Sequence, residues 1–324
     1  MAKLIKPDRS NREQCIATLW KRLKLEDAVT ADTGPQLAWL ADDLKLRRTP
    51  QLTLTAQRLA QHWLNKFVLS RWNRADDPDR TFARAFAYFY WGREIYLAFR
   101  QAEGVPDESR DDTLHELLEW QGLAIAAGQE WFAERVAPYL LRLCMSGAPG
   151  KGRVPGTRQG FFCYDEPALQ FSQALQRTVL SGQWPGAADL AATGSHAALF
   201  ASADRPDQFR EALVEYCDDR IAECFGYHGI DATKRRPPSI FESVMDRGSW
   251  NQVFPVELLT FQYAFKKATG RQLSLDAPHP LLHTVLMTTP LPPLVPFFED
   301  DLTSKLKQYG QSVFGPAWRP RGLQ

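Results

Sequence analysis

Six carboxylates, Asp207, Glu211, Glu215, Asp218, Asp219 and Glu223, recur every three or four residues. That spacing stacks them along one face of a helix. Phe209, Ala212, Leu213, Tyr216, Cys217, Ile221 and Cys224 form a second, apolar stripe on the same segment, so the helix can dock on a core and turn its acids outward. Like charges four residues apart cost a few tenths of a kcal/mol per pair, roughly 1 kcal/mol over the row, unless a counter-charge offsets it. At a rise of ~1.5 Å per residue the row is about 24 Å long. Such a row would steer a basic protein and hold its Lys and Arg side chains; a solvated face with no partner would show the same spacing. Asp107, Glu108, Asp111, Asp112, Glu116 and Glu119 offer a second candidate acidic face.

Patterns that would carry catalysis fail on spacing. His115-Glu116-Leu-Leu-Glu119 lacks the second imidazole that a zinc-protease helix places one turn away. Cys217, Cys224 and His228 are seven and four residues apart, and the two cysteines fall on the apolar stripe, where buried thiols are the simpler reading. The glycine-rich run contains Gly147 and Gly152, but Arg153 and Val154 follow where a phosphate loop needs Lys and Ser or Thr. Gly194-Ser195-His196 sets a hydroxyl beside an imidazole without a nucleophile elbow around it. His62, His279 and His283 are better explained by packing or turn capping. The expectation is a binding protein with no catalytic residue, metal or cofactor of its own; an enzyme assembled from distant residues, such as His115 with Glu119 or His228 with Asp231, is the alternative class.

The elements that would position these residues are helical. Ile16, Leu19, Trp20 and Leu23 lie at i, i+3, i+4 and i+7, a helical period. A second helix is expected over 53–72. A third, over 79–101, carries Phe82, Phe86, Tyr88, Phe89, Tyr90, Trp91, Tyr96 and Phe99 around most of its circumference, which marks a central, buried helix. Further helices are expected over 107–119, 131–144, 167–180, 209–225 and 255–269, the last stopped by Gly270, with shorter ones over 281–287 and 302–309. No segment alternates as a strand would. The fold class read here is all-α, an irregular array of about ten helices.

Punctuation suggests the domain plan. Residues 146–160 hold five Gly and two Pro, which is loop chemistry. The expected layout is an N-terminal helical subdomain over 1–145, a Gly/Pro-rich loop over 146–168, a C-terminal helical subdomain over 169–288 and a proline-rich extension over 289–324. Thr288-Thr-Pro-Leu-Pro-Pro-Leu-Val-Pro296 should be extended, either as a docking peptide for an adaptor or as a stiff wrap.

Composition limits the function classes. The chain has 324 residues, 39 Lys+Arg against 38 Asp+Glu and 44% hydrophobic residues, the balance of a globular protein with a real core. A formal charge of +1 excludes a uniformly basic nucleic-acid coat, and no nucleic-acid partner is expected. Near-neutrality conceals blocks: residues 161–233 hold 4 basic and 11 acidic groups, whereas 141–160 hold 4 basic and none acidic. The five cysteines at irregular spacing do not read as a disulfide scaffold. Charges at Asp8, Arg9, Arg12 and Glu13 interrupt any secretory signal, and no apolar run reaches the ~18 residues of a membrane span. A cytoplasmic protein with no membrane partner is expected.

One segment carries a resemblance. Tyr227-His-Gly-Ile-Asp231, then Phe241-Glu-Ser-Val-Met-Asp246-Arg-Gly248-Ser-Trp250-Asn-Gln-Val-Phe254-Pro255-Val-Glu257-Leu-Leu259, resembles the C-terminal part of helical bacterial immunity proteins. Its aromatic-Pro-aliphatic-Glu step is similar to that of immunity partners of PoNe-type DNase effectors. The resemblance covers roughly 30 residues. It implies an all-α cytoplasmic protein of a type VI secretion or related polymorphic-toxin system. Such a protein binds a cognate toxin effector, a nuclease, and occludes its active site.

Overall fold

The computed structural model describes residues 8–30, 32–74, 78–102, 114–135, 137, 167–186, 190, 196–224, 253–294, 297–316, 318 and 320. Among them the structure is all-helical, with no strand. The helices are α1 (Arg12–Leu23), α2 (Leu25–Thr30), α3 (Gly34–Leu46), α4 (Thr49–Trp72), α5 (Pro78–Ala102), α6 (Leu114–Ala126), α7 (Pro167–Ser181), α8 (Ala197–Ser202), α9 (Pro206–Cys224), α10 (Val256–Thr269), α11 (Val285–Thr288) and α12 (Asp301–Phe314). Residues 130–135 are also helical. The all-α multi-helix array expected from periodicity is the observed architecture.

Two compact units take their residues from separated stretches of chain. The first comprises Met1–Lys24 and Arg110–Thr289, the second Leu25–Ser109 and Pro290–Gln324. The glycine-rich run 146–160 lies outside the described residues.

In the first unit α10 packs on both α6 and α7, α8 packs on α9, and α1 packs on α9. Phe261 of α10 is fully buried and gathers the rings of Phe171, Trp184, Phe200 and Phe209 at centroid distances of 4.9 to 5.8 Å for three of them and 6.1 Å for Phe171. Rings at these separations gain from edge and offset geometry beyond their buried area. A buried polar contact ties two of the elements together, as Gln176 of α7 donates to Gln121 Oε1 of α6 at 2.6 Å. Gly270 ends α10 in the left-handed region at φ +71, where glycine carries no Cβ penalty.

The second unit is built around α4 and α5, which run antiparallel and touch along their lengths. Phe67 meets Phe82 at one end, at 4.7 Å between centroids. At the other, Gly92 lets the backbones close, since a Cβ there would lie 2.9 Å from the Cβ of Ala56. Residues 85–95 of α5 are all buried, so the aromatic-rich helix is central as its sequence predicts.

The C-terminal stretch wraps this pair. Pro292 and Leu294 are buried, the Arg71 guanidinium donates to the Pro290 carbonyl, and Phe297 packs on Phe86 and Tyr90. The described part of the proline-rich segment thus packs on the second unit through Pro292 and Leu294. Asp300 then opens α12 with a capping box: it accepts from the Thr303 backbone N–H at 2.8 Å while the Thr303 hydroxyl accepts from the Asp300 N–H at 2.7 Å. The same carboxylate pairs with Arg84 at 3.1 Å and accepts from Tyr88 at 3.1 Å, joining α12 to α5. On the far side, Tyr309 and Thr49 share a buried hydroxyl–hydroxyl hydrogen bond of 2.6 Å.

A candidate docking face on helix α9

The sequence of α9 sets its own start. Pro206 occupies the first turn, where its missing N–H and fixed φ cost nothing, and Asp207 sits beside it where the helix dipole favours an anion. Phe209, Leu213, Tyr216, Cys217 and Ile221 are buried, as the apolar stripe predicts, while Ala212 and Cys224 at its margins are half-buried.

The carboxylates divide into three groups. Asp207 is fully turned to solvent, 97% exposed, and stands 3.8 Å from Arg210 one turn on. Nearby, Arg271 pairs with Asp204 at 2.7 Å, with both side chains more than half exposed. Exposed pairs of this kind contribute little energy, but they leave the N-terminal end of the row electrically mixed. Glu211, Glu215 and Asp219 make the second group. All three are exposed, and among the described residues no cation pairs with any of them. They span nine residues, about 12 Å of helix. Asp219 shows the crowding directly: partial burial, then the neighbouring charges of Glu215 and Asp218, push its pKa up.

Asp218 is the third group, and it does not belong to the open row. It faces α1, where Arg12 grips it with two hydrogen bonds, Nε to Oδ1 at 2.7 Å and Nη2 to Oδ2 at 2.5 Å. His279 closes the other side, with Nε2 at 3.4 Å from Asp218 Oδ1. The Leu281 backbone N–H donates to His279 Nδ1 at 3.2 Å. That assigns the ring proton to Nε2, facing the carboxylate. The imidazole is fully buried, and burial drives its pKa down to about 4, against the pull of Asp218. The His279 side chain is thus neutral, and the Arg12–Asp218 pair supplies a bidentate clamp between α1 and α9.

The buried side of α9 holds a second ionic group. Arg220 is 2% exposed and donates to Glu257 in the first turn of α10, and Tyr216 donates to the same oxygen. Burial opposes the charge on Arg220, but Glu257 overrides it and the pKa rises. Burial and the Glu257 charge push the Tyr216 hydroxyl far up as well, so it stays a donor. These groups position α9 against α10; they are not presented to a partner.

Neither Arg12 with His279 nor Arg220 with Glu257 emerges from a reading of the acidic row. Arg220 does carry a signal in hindsight of helical geometry: it lies four residues after Tyr216 and seven after Leu213, on the apolar stripe, where a cation requires a partner. Arg12 and His279 are 206 and 61 residues away from Asp218 in sequence, and nothing local links them to it.

The remaining candidates are placed as follows. Asp107, Glu108, Asp111 and Asp112 lie outside the described residues. Glu116 and Glu119 are both on α6, and the part of the expected 107–119 helix before Leu114 lies outside the described residues; the Glu119 side chain is half-buried, and those of Glu116 and Glu223 are outside the described part. The His115 side chain is likewise outside the described part; among the described residues no group of three His, Cys, Asp or Glu side chains could hold a metal. Cys15 and Cys217 are buried free thiols. No described helix is long and apolar enough to cross a membrane.

No family model, no curated protein and no solved structure matches the chain.

Proposed function

We propose that this protein is an immunity-type inhibitor that binds a basic, cytosol-acting toxin, a nuclease, and blocks its active site with the outward carboxylates of α9. The observation that carries the reading is the set Glu211, Glu215 and Asp219, exposed and without a cation partner among the described residues. Unpaired like charges on a rigid helix cost stability in the free protein. A basic surface would relieve that cost and gain charge-assisted hydrogen bonds. A nuclease is a suitable class because its substrate groove must itself be cationic to hold phosphates. The α9 row would then occupy the place of the nucleic-acid backbone.

The buried clamps support the same reading by fixing the face. Arg12 on Asp218 and Glu257 on Arg220 hold α9 from two sides, and a pre-organised surface spends less binding energy on ordering. The segment 227–259 that resembles immunity proteins lies mostly outside the described residues. Only its end, Val253–Leu259, is described: Phe254 and Pro255 are buried and Val256 opens α10.

The test is affinity capture of the tagged chain from its native lysate at 50 mM and 500 mM salt, followed by expression of each captured protein alone and with the chain. A stoichiometric basic protein that is released by salt, and whose toxicity the chain relieves, fits the proposal. A captured partner that is harmless alone, or whose toxicity the chain leaves unchanged, refutes it.

A further inference from the structure

The second unit carries a groove of opposite charge. Between α3 and α12 lies an open depression of about 590 Å3, within the size range of ligand-binding clefts. Lys45, Arg47 and Lys305 line it and are exposed, and no acidic residue is among its lining residues. Lys305 is partly satisfied by Asp301 at 2.6 Å, one turn back on α12. Among the described residues neither Lys45 nor Arg47 has an acidic partner. The groove thus has a cationic surplus and a chemistry distinct from α9.

Its less exposed lining is apolar and pre-set. Leu44 is half-buried and Tyr309 is buried, with the phenol hydroxyl fixed by Thr49 at 2.6 Å. Arg47 is held as well, in the left-handed region at φ 54, where its backbone N–H caps the carbonyls of Asp43 and Leu44. A non-glycine residue in that conformation is strained, and it sets the Arg47 side chain at the end of α3. The combination of an aliphatic and aromatic lining with three cations matches a chain that alternates carboxylates with an apolar side chain. A phosphate backbone would gain nothing from Leu44, and one of the three cations, Lys305, is already paired with Asp301.

We propose that the α3–α12 groove is a docking site for an acidic peptide segment of a protein partner. Its carboxylates pair with Lys45, Arg47 and Lys305, and one aliphatic side chain rests on Leu44 and Tyr309. The inference is independent of the α9 reading, since the residues, the unit and the sign of the charge all differ.

The experiment is fluorescence anisotropy on the full chain with three labelled probes: an octapeptide of alternating Glu and Leu, the same peptide with Gln in place of Glu, and octauridylate. The Glu/Leu peptide should bind at least tenfold more tightly than the other two, and weaken as salt rises from 50 to 300 mM. The double variant Lys45→Glu, Lys305→Glu should weaken it at least tenfold further. Lys45→Gln with Lys305→Gln should show the same direction, which guards against a fold disturbed by charge reversal, with far-UV circular dichroism as the check. Equal affinity for the Glu and Gln peptides, tighter binding of octauridylate, or a Glu/Leu affinity unmoved by both double variants overturns the proposal.

Discussion

Replacing Arg220 by methionine removes the cation from the buried side of α9 and leaves the rest of the helix unchanged. Arg220 is 2% exposed and donates to Glu257, whose side chain is only 16% exposed and also accepts from Tyr216. With the guanidinium gone, Glu257 keeps one neutral donor and an uncompensated charge, and breaking a buried pair from one side costs about 3–5 kcal/mol. Methionine fills most of the aliphatic volume, so the cavity contribution is small and the electrostatic part dominates. The first unit spans about 200 residues, for which 1 kcal/mol moves the melting temperature by about 2–4 °C, so Arg220→Met should lower it by roughly 6–20 °C. Adding Glu257→Gln removes the stranded charge while keeping an acceptor for Tyr216, and the double variant should recover at least half of the loss. Thermal and urea unfolding followed by circular dichroism read both numbers. A loss under about 1 kcal/mol for Arg220→Met, or a double variant no better than the single, would refute the argument that α9 is held to α10 by a charge pair out of water.

Three further outcomes follow from the packing. His279 has its pKa lowered to about 4 by burial, whereas an unfolded histidine titrates near ~6.5. Between those values the unfolded chain binds more protons, so stability should fall by up to about 3 kcal/mol as pH drops from ~6.5 to ~4; urea titrations of wild type and His279→Asn across that window should show the slope shrink in the variant. At Gly310 a Cβ would lie 2.2 Å from the ring of Trp318, so Gly310→Ala should displace the indole, cost about 1–3 kcal/mol and change tryptophan fluorescence. Truncation before Pro290 removes Leu294, Leu306 and Tyr309 from the core of the second unit and strands Arg84 without Asp300; the truncated chain should lose cooperative unfolding of that unit, and a sharp transition of full amplitude would contradict the wrap.

Local period made most helices legible. The apolar stripes of α1, α4, α5, α7, α9 and α10 follow a 3.6-residue repeat strongly enough to locate them to within a few residues. α3 was not legible: Gly34, Pro35 and the outward Trp39 and Leu46, each 53% exposed, blur its stripe. α12 extends to Phe314, beyond the expected Tyr309, because Gln311 and Ser312 carry no apolar signal and Val313 points outward, off the buried stripe. The interleaving of the two units is a matter of which stripes meet, and composition is silent on that.

The candidate face was half legible for the same reason. Spacing placed Glu211, Glu215 and Asp219 outward, because that depends on α9 alone. It could not show that Asp218 turns to Arg12 and His279, because those partners come from the far ends of the first unit's chain. Their pairing turns one expected docking charge into an internal clamp.

The most direct test of the central claim is the association rate of the chain with the basic partner captured from its lysate, measured by stopped-flow for wild type and for Glu211→Lys with Glu215→Lys. Two reversals on an otherwise intact face should slow association about tenfold or more at 20 mM salt, with the difference shrinking at 500 mM. Equal rates at low salt would contradict the account, and would place the surface that meets the captured partner away from α9.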